Sequence, residues 1–285
     1  MCIKRKSHSV QVNKAQNSGL LNLGTNGQYN KGINIIRLIT HDSLSLGVIV
    51  ASLTEALFFA EESSAKLIVT PGGYGYVVPS KNKHDTQNII SSIETFVSEI
   101  LQILPVNRKA DIVLGIDGTD GIIQDGYFIP KNANSITDCT RVWKAYPRCN
   151  EMHVHTKGKP CAHRCINTDY SDINMLICHD LVAFGGRSQA RRGLKKEKWA
   201  NQLASEIKFS KGAGIVSLVH YLDTQKQGSA FINGMDNLIN KGMTWGVSSF
   251  KTMLDPQIDS QELQIIRQRT SRFSGPVLDL FVLSA

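Results

Sequence analysis

The sequence predicts an α/β layered fold, and three observations carry the prediction. Short aliphatic runs alternate with longer segments of helical periodicity from Ile33 to Leu283. The runs are short and almost wholly apolar, the pattern of strands buried in a layered core. At least one of them ends abruptly in a turn of Pro71, Gly72 and Gly73, as buried strands do.

Taken in order, Ile33 to Ile39 reads as a strand, Val48 to Glu62 as a helix and Lys66 to Thr70 as a short buried strand. A helix follows over Asp85 to Leu104, where Ile89, Ile90, Ile93, Phe96, Val97, Ile100, Leu101 and Leu104 recur at helical spacing. Ala110 to Ile116 is another buried strand, and Asp125 to Ile129 and Thr140 to Ala145 are two more, open to pairing with each other. Residues 146–171 are irregular. Beyond them come a strand over Ile173 to Cys178, a long basic helix over Arg187 to Phe209 and a strand over Gly214 to His220. A helix over Ala230 to Asn240 and a closing strand over Pro276 to Leu283 complete the chain. Residues 1–32, rich in Asn, Gln, Ser, Gly and Lys, read as a flexible N-terminal arm, with one domain over residues 33–285.

Composition excludes other classes. With 41% hydrophobic and 20% charged residues in 285, the chain is neither disordered nor fibrous. The longest apolar stretch, Leu46 to Ala60, is interrupted by Ser52, Thr54 and Glu55 and is too short to span a bilayer. Lys4, Arg5 and Lys6 are followed by a polar segment with no apolar core of a signal peptide, so a cytoplasmic location is expected. Six unevenly spaced cysteines do not form a secreted disulfide framework. The net charge of +8 concentrates at Arg187, Arg191, Arg192, Lys195, Lys196 and Lys198 and at Arg267, Arg269 and Arg272. With only Trp199 and Phe273 beside these charges as stacking groups, a solvated helix face is expected rather than a nucleic-acid site.

In layered α/β folds, functional residues gather at the C-terminal ends of strands. Three such ends here carry reactive side chains or unusual turns: Thr70-Pro71-Gly72-Gly73, Cys178-His179-Asp180 and His220-Tyr221.

Three segments resemble landmarks of the nitrilase, or carbon–nitrogen hydrolase, superfamily: Ala65 to Pro71, Arg141 to Pro147 and Leu176 to Leu181. The resemblance spans about Ile33 to Leu283. It implies a four-layer α-β-β-α sandwich and a thiol-dependent hydrolase or acyltransferase acting on an amide or nitrile without a cofactor, assembled as a homo-oligomer. By the same resemblance Cys178 is the nucleophile, Lys144 stabilises the tetrahedral oxyanion and Glu151 stands where many members have a supporting glutamate. The family's general-base glutamate is replaced by Gly72. Physical chemistry agrees with the assignment of Cys178, since a thiol of pKa ~8.5 needs a nearby cation or base to act at neutral pH. The plain alternative is a small buried hydrophobe at a strand end.

Without the glutamate, two replacements for the base are open: Asp117, after a strand in Gly115-Ile116-Asp117-Gly118, and His220, whose pKa is better matched. As plain structural residues they would be a turn aspartate and a hydrogen-bonded strand-end histidine. The outcome is either a rewired enzyme or a catalytically inactive binding protein on the same fold.

The irregular stretch also gathers Cys149, His153, His155, Cys161, His163 and Cys165. Thiolates and imidazoles are the usual ligands of structural zinc, which would pin such a loop near the pocket mouth. The spacing matches no zinc-finger pattern, so a polar loop and a redox role for Cys161 and Cys165 stay open beside zinc.

Overall fold

Alternate residues of the first buried strands face two different cores, and this decides the layering. The computed structural model describes residues 20–26, 34–79, 85–119, 123–145, 161, 163–185, 194–210, 212–273 and 275–283. The first half comprises β1 (Leu20–Asn26), β2 (Ile35–Thr40), α1 (Leu46–Ser63), β3 (Leu67–Val69), β4 (Gly75–Val77), α2 (Thr86–Ile103), β5 (Asp111–Gly118), β6 (Ile123–Ile129) and β7 (Thr140–Trp143). The second comprises β8 (Cys165–Asn167), β9 (Asp172–Ile177), the single turn α3 (His179–Val182), α4 (Leu194–Glu206), β10 (Gly214–Tyr221), α5 (Gln225–Asn240), β11 (Trp245–Lys251), α6 (Ser260–Arg269), β12 (Ser271–Arg272) and β13 (Val277–Val282).

One sheet runs β7-β6-β5-β3-β2-β13-β1, and the other runs β8-β9-β10-β11 with β12 on its edge. They join where Lys251 of β11 pairs with Thr40 of β2. Ile36, Leu38, Ile68, Ile112 and Leu114 face outward onto α1 and α2. Their neighbours Ile35, Ile39, Leu67, Val69 and Val113 face inward, in one core with Met175, Ile177, Ile215 and Leu218 of the second sheet. That alternation is the two-residue period of a strand covered on both faces. Gly126 marks the close approach: a Cβ there would meet Leu218, Ile177 and Met175 side chains at 2.8 to 2.9 Å. The architecture is the four-layer α-β-β-α sandwich.

The periodic elements form where expected. Helix α2 is capped by Asp85, whose carboxylate accepts the Gln87 N–H at 2.9 Å, and it buries Ile89, Ile93, Val97, Ile100 and Leu101. Strands β6 and β7 do pair, antiparallel.

Four expectations change. Part of the N-terminal arm, Leu20–Asn26, is a strand held on β13; residues 1–19 and 27–33 lie outside the described residues. Within the stretch read as irregular, Cys165–Asn167 forms a strand on β9, because Ile166 alternates into the core. The long basic helix is described only as Leu194–Glu206, and Arg187, Arg191 and Arg192 lie outside. The second basic cluster is only partly a solvated face: Arg267 is buried against Asp279 at 2.6 Å, whereas Arg272 pairs with Asp236 at 2.7 Å at the surface.

Candidate active site

Strand β9 delivers Cys178 just past its C-terminal end, with a backbone of φ +47°, where L-residues rarely sit. The bend is held by the Cys178 N–H bond to Leu218 O at 2.7 Å and by the turn of α3 that follows. It aims the thiol into a cavity of about 510 Å³ whose wall also carries His179, Asp117, Gln124 and His220.

Parallel strand β10 brings His220 to the same edge. Its Nε2 lies 2.8 and 3.0 Å from the two carboxylate oxygens of Asp117, one residue before the end of β5 in the opposite sheet. The ring lies close enough to Cys178 for the thiolate to act on its charge. A thiol, an imidazole and a carboxylate thus stand in series, which brings together Cys178, His220 and Asp117, three residues singled out from the sequence. His179 adds a second imidazole, with Nδ1 3.2 Å from the sulfur.

Lys144 follows β7 and is fully buried, its Nζ donating to Gln124 Oε1 at 2.7 Å. Burial opposes ionisation of the Cys178 thiol, yet the charges of His179, Lys144 and His220 outweigh it and hold the thiol well below its ordinary range. For His220, burial disfavours the imidazolium, but Asp117 and the Cys178 thiolate raise it to about 9. The two shifts have one cause, since a thiolate and an imidazolium side by side each favour the charged form of the other.

Gly72 ends the approach of β3, where the Gly72 N–H binds Val219 O at 3.0 Å. A Cβ at this position would stand 2.9 Å from His220 Cε1 and 2.9 Å from Leu218 O. The space a side chain at position 72 would need is filled by the imidazole. Beside it, Gly73 has φ +59°, and a Cβ there would come within 2.5 Å of the Asp117 carboxylate.

A buried ion network fixes the two strand ends to each other. Asp180 accepts from Ala145 N and Ile177 N, both at 3.1 Å, and from Arg164 Nη1 at 3.1 Å. Arg164 also reaches Trp143 O at 3.0 Å and Glu206 at 2.9 Å. The neighbours of Lys144 and Cys178 are therefore held by one carboxylate–guanidinium pair.

Of the other expected residues, Glu151, Cys149, His153 and His155 lie outside the described residues. Cys161 packs in the inner core, where burial raises its thiol; backbone hydrogen bonds from Trp143 and His163 oppose the rise. Cys165 sits on β8, its thiol also raised by burial. Among the described residues no group of three His, Cys, Asp or Glu side chains is placed to hold a metal ion.

Gln124, Arg164 and Lys251 are site or support residues that sequence reasoning passed over. The strand-end rule would have found Lys251 had Trp245 to Lys251 been read as a strand, but its two serines and polar end break the apolar pattern.

No protein-family model and no curated protein sequence matches the chain. Solved structures do. A mutant amidase from Nesterenkonia sp. AN1, with the acetamide moiety of fluoroacetamide added covalently at its active-site cysteine, superposes with a TM-score of 0.50 at 16% identity, over 79% of each chain. A second mutant of the Nesterenkonia AN1 amidase, described as from the nitrilase superfamily, gives 0.50 at 14% identity, again over 79% of each chain. The chain has the nitrilase-superfamily fold. No helix among the described residues is long and apolar enough to cross a membrane.

Proposed function

We propose that this chain is a divergent member of that superfamily, a thiol-dependent hydrolase or acyltransferase of carbon–nitrogen bonds, in which a histidine–aspartate pair has taken over from the family glutamate. The observation that carries the reading is the Cys178–His220–Asp117 series opening on a cavity, with the charge of buried Lys144 acting on the thiol.

In this reading the Cys178 thiolate attacks the carbonyl carbon of an amide. Charge moves onto the carbonyl oxygen, where the Lys144 ammonium and the backbone N–H of His179 stabilise it. The C–N bond breaks as the His220 imidazolium gives its proton to the departing amine, leaving a thioester and a neutral ring. Water then attacks the thioester, its proton passes to His220, and the carbon–sulfur bond breaks to release acid and thiolate. An amine or thiol in place of water makes the same sequence a transfer. Asp117 holds the ring's orientation and supports its positive charge throughout, the role a carboxylate plays beside a catalytic histidine.

Mass spectrometry of iodoacetamide-treated protein across about pH 5 to 9, which brackets the free-thiol pKa, tests the assignment. Selective labelling of Cys178 with a midpoint below ~8.5, followed by turnover of simple amides that Cys178→Ser abolishes, is the expected result. Labelling that avoids Cys178, with no amide turned over, rejects it.

A further inference from the structure

Three neighbouring parallel strands end at the cavity, and two residues at those ends, Cys178 just past β9 and His220 one residue before the end of β10, have roles in the reaction above. The third, β11, ends in Lys251, which also lines the cavity. The Lys251 residue is only 3% exposed. Its Nζ donates to Ser43 Oγ and to Gly73 O, both at a long 3.2 Å, and lies 4.9 Å over the Tyr221 ring. An ammonium has three N–H donors, so these two bonds leave one unspent. Among the described residues no carboxylate oxygen lies within the 4.0 Å of an ion pair with it.

A buried cation with one donor left and no carboxylate in contact is costly unless something else supplies the charge. Burial lowers the Lys251 ammonium from its ordinary range, and the more distant Asp117, Asp42 and Cys178 only partly offset that. Since Lys251 faces the cavity, the partner that can reach it is whatever occupies the cavity.

We propose that Lys251 receives an anionic group, a carboxylate, at the end of the substrate away from the scissile bond. Strand spacing sets the reach: Cys178 and Lys251 end strands two places apart, roughly 10 Å at the backbone. A chain of a few carbons between amide and carboxylate spans that interval, which makes monoamides of short dicarboxylic acids the substrate class. Phe231, Val182 and the Tyr221 ring supply apolar wall for the methylenes between. The assignment of the scissile group rests on the hydrolase reading; the anion site itself does not.

The test therefore has two independent arms. In the first, glutarate and its neutral diamide are titrated calorimetrically onto wild type, Lys251→Met and Lys251→Arg, and Cys178 labelling by iodoacetamide is followed in the same mixtures. Wild type is expected to bind glutarate at least tenfold more tightly than the diamide. Lys251→Met should erase the difference, and Lys251→Arg should keep part of it. In the second, kcat/KM for succinic and glutaric monoamides is compared with that for butyramide. A preference for the charged amides that falls at least tenfold in Lys251→Met is expected. Equal affinity of wild type for glutarate and diamide overturns the proposal. So does an equal fall for charged and neutral amides, which would make Lys251 a positioning residue for Asp117. Glutarate binding without turnover of any amide would retain the anion site and reject the hydrolase chemistry, so the two failures are distinguishable.

Discussion

His220 stands in the space that a side chain on Gly72 would occupy: a Cβ built there would lie 2.9 Å from the ring carbon Cε1 and 3.0 Å from Nδ1. The two positions are sterically coupled. A side chain on residue 72 and the imidazole at the end of β10 compete for one space, and here the bare glycine admits the imidazole.

That coupling is measurable. Gly72→Ala forces the ring and the Leu218 carbonyl aside and is expected to cost ~1–3 kcal/mol, the range for overpacking a tight core. Shortening the ring should recover part of it, so a double-mutant cycle with His220→Ala should give an interaction of ~0.5–3 kcal/mol by chemical denaturation. Strict additivity would mean that the contact is not shared.

The thiol should respond to each of its charged neighbours. Removing the imidazolium in His220→Ala, or the ammonium in Lys144→Met, raises the alkylation midpoint of Cys178, by roughly one unit for each 1.4 kcal/mol of lost stabilisation. Iodoacetamide rates against pH for the three proteins provide the comparison, and unchanged midpoints would remove both residues from the site.

The pH profile carries a sign. His220 has its pKa raised to about 9, so its contribution to stability is complete below the unfolded value near 6.5 and lost as pH rises through about 9. Cys178, held low, contributes above its unfolded value and loses that contribution as pH falls through its depressed folded value. If the imidazolium is the acid that protonates the departing amine, kcat/KM should fall on the alkaline side near pH 9. In Asp117→Asn, that limb should move to lower pH.

Asp180 and Arg164 hold the backbone beside both Lys144 and Cys178, and each side chain is fully buried. Asp180→Ala leaves the guanidinium without this partner and is expected to destabilise by ~3–5 kcal/mol. Asp180→Asn keeps the shape and at least one acceptor, so it should fold while shifting the Cys178 alkylation midpoint. Thermal denaturation and labelling on the same samples separate the two effects.

Asp125 lies beneath Arg141, which donates to it at 2.7 Å, but its Oδ1 has no hydrogen-bond partner among the described residues. Burial raises its carboxyl to about 6. A raised acid favours the fold when protonated, so that contribution is present below pH ~4 and lost as pH climbs through about 6. Asp125→Asn should therefore gain stability relative to wild type between pH 4 and 7, on the order of 3 kcal/mol. Denaturation midpoints across that range should diverge with rising pH; parallel curves would show that Arg141 already compensates the charge.

Much of the fold was legible because its strands are buried and its first helices amphipathic. The runs Ile35–Thr40, Asp111–Gly118 and Gly214–Tyr221 declare themselves by composition, and α2 by its apolar stripe. Strand β11 did not, because Ser248 and Ser249 are buried polar residues whose place among hydrophobes depends on neighbouring strands. Nor did β1, which takes its order from β13, over 250 positions away.

By itself, the sequence determined the layered class, the thiol at a strand end and the glycine turn at Gly72 and Gly73. All of these are local: residue type, periodicity and the position of a turn. The tertiary structure alone decided which side chains stand beside the thiol. Asp117 and His220 are 103 residues apart and lie in different sheets, and their 2.8 Å contact arises only when the two sheets pack face to face with their strand ends at one edge. Which side chains meet across that edge depends on register and packing distance, neither of which is written in the spacing of the residues along the chain.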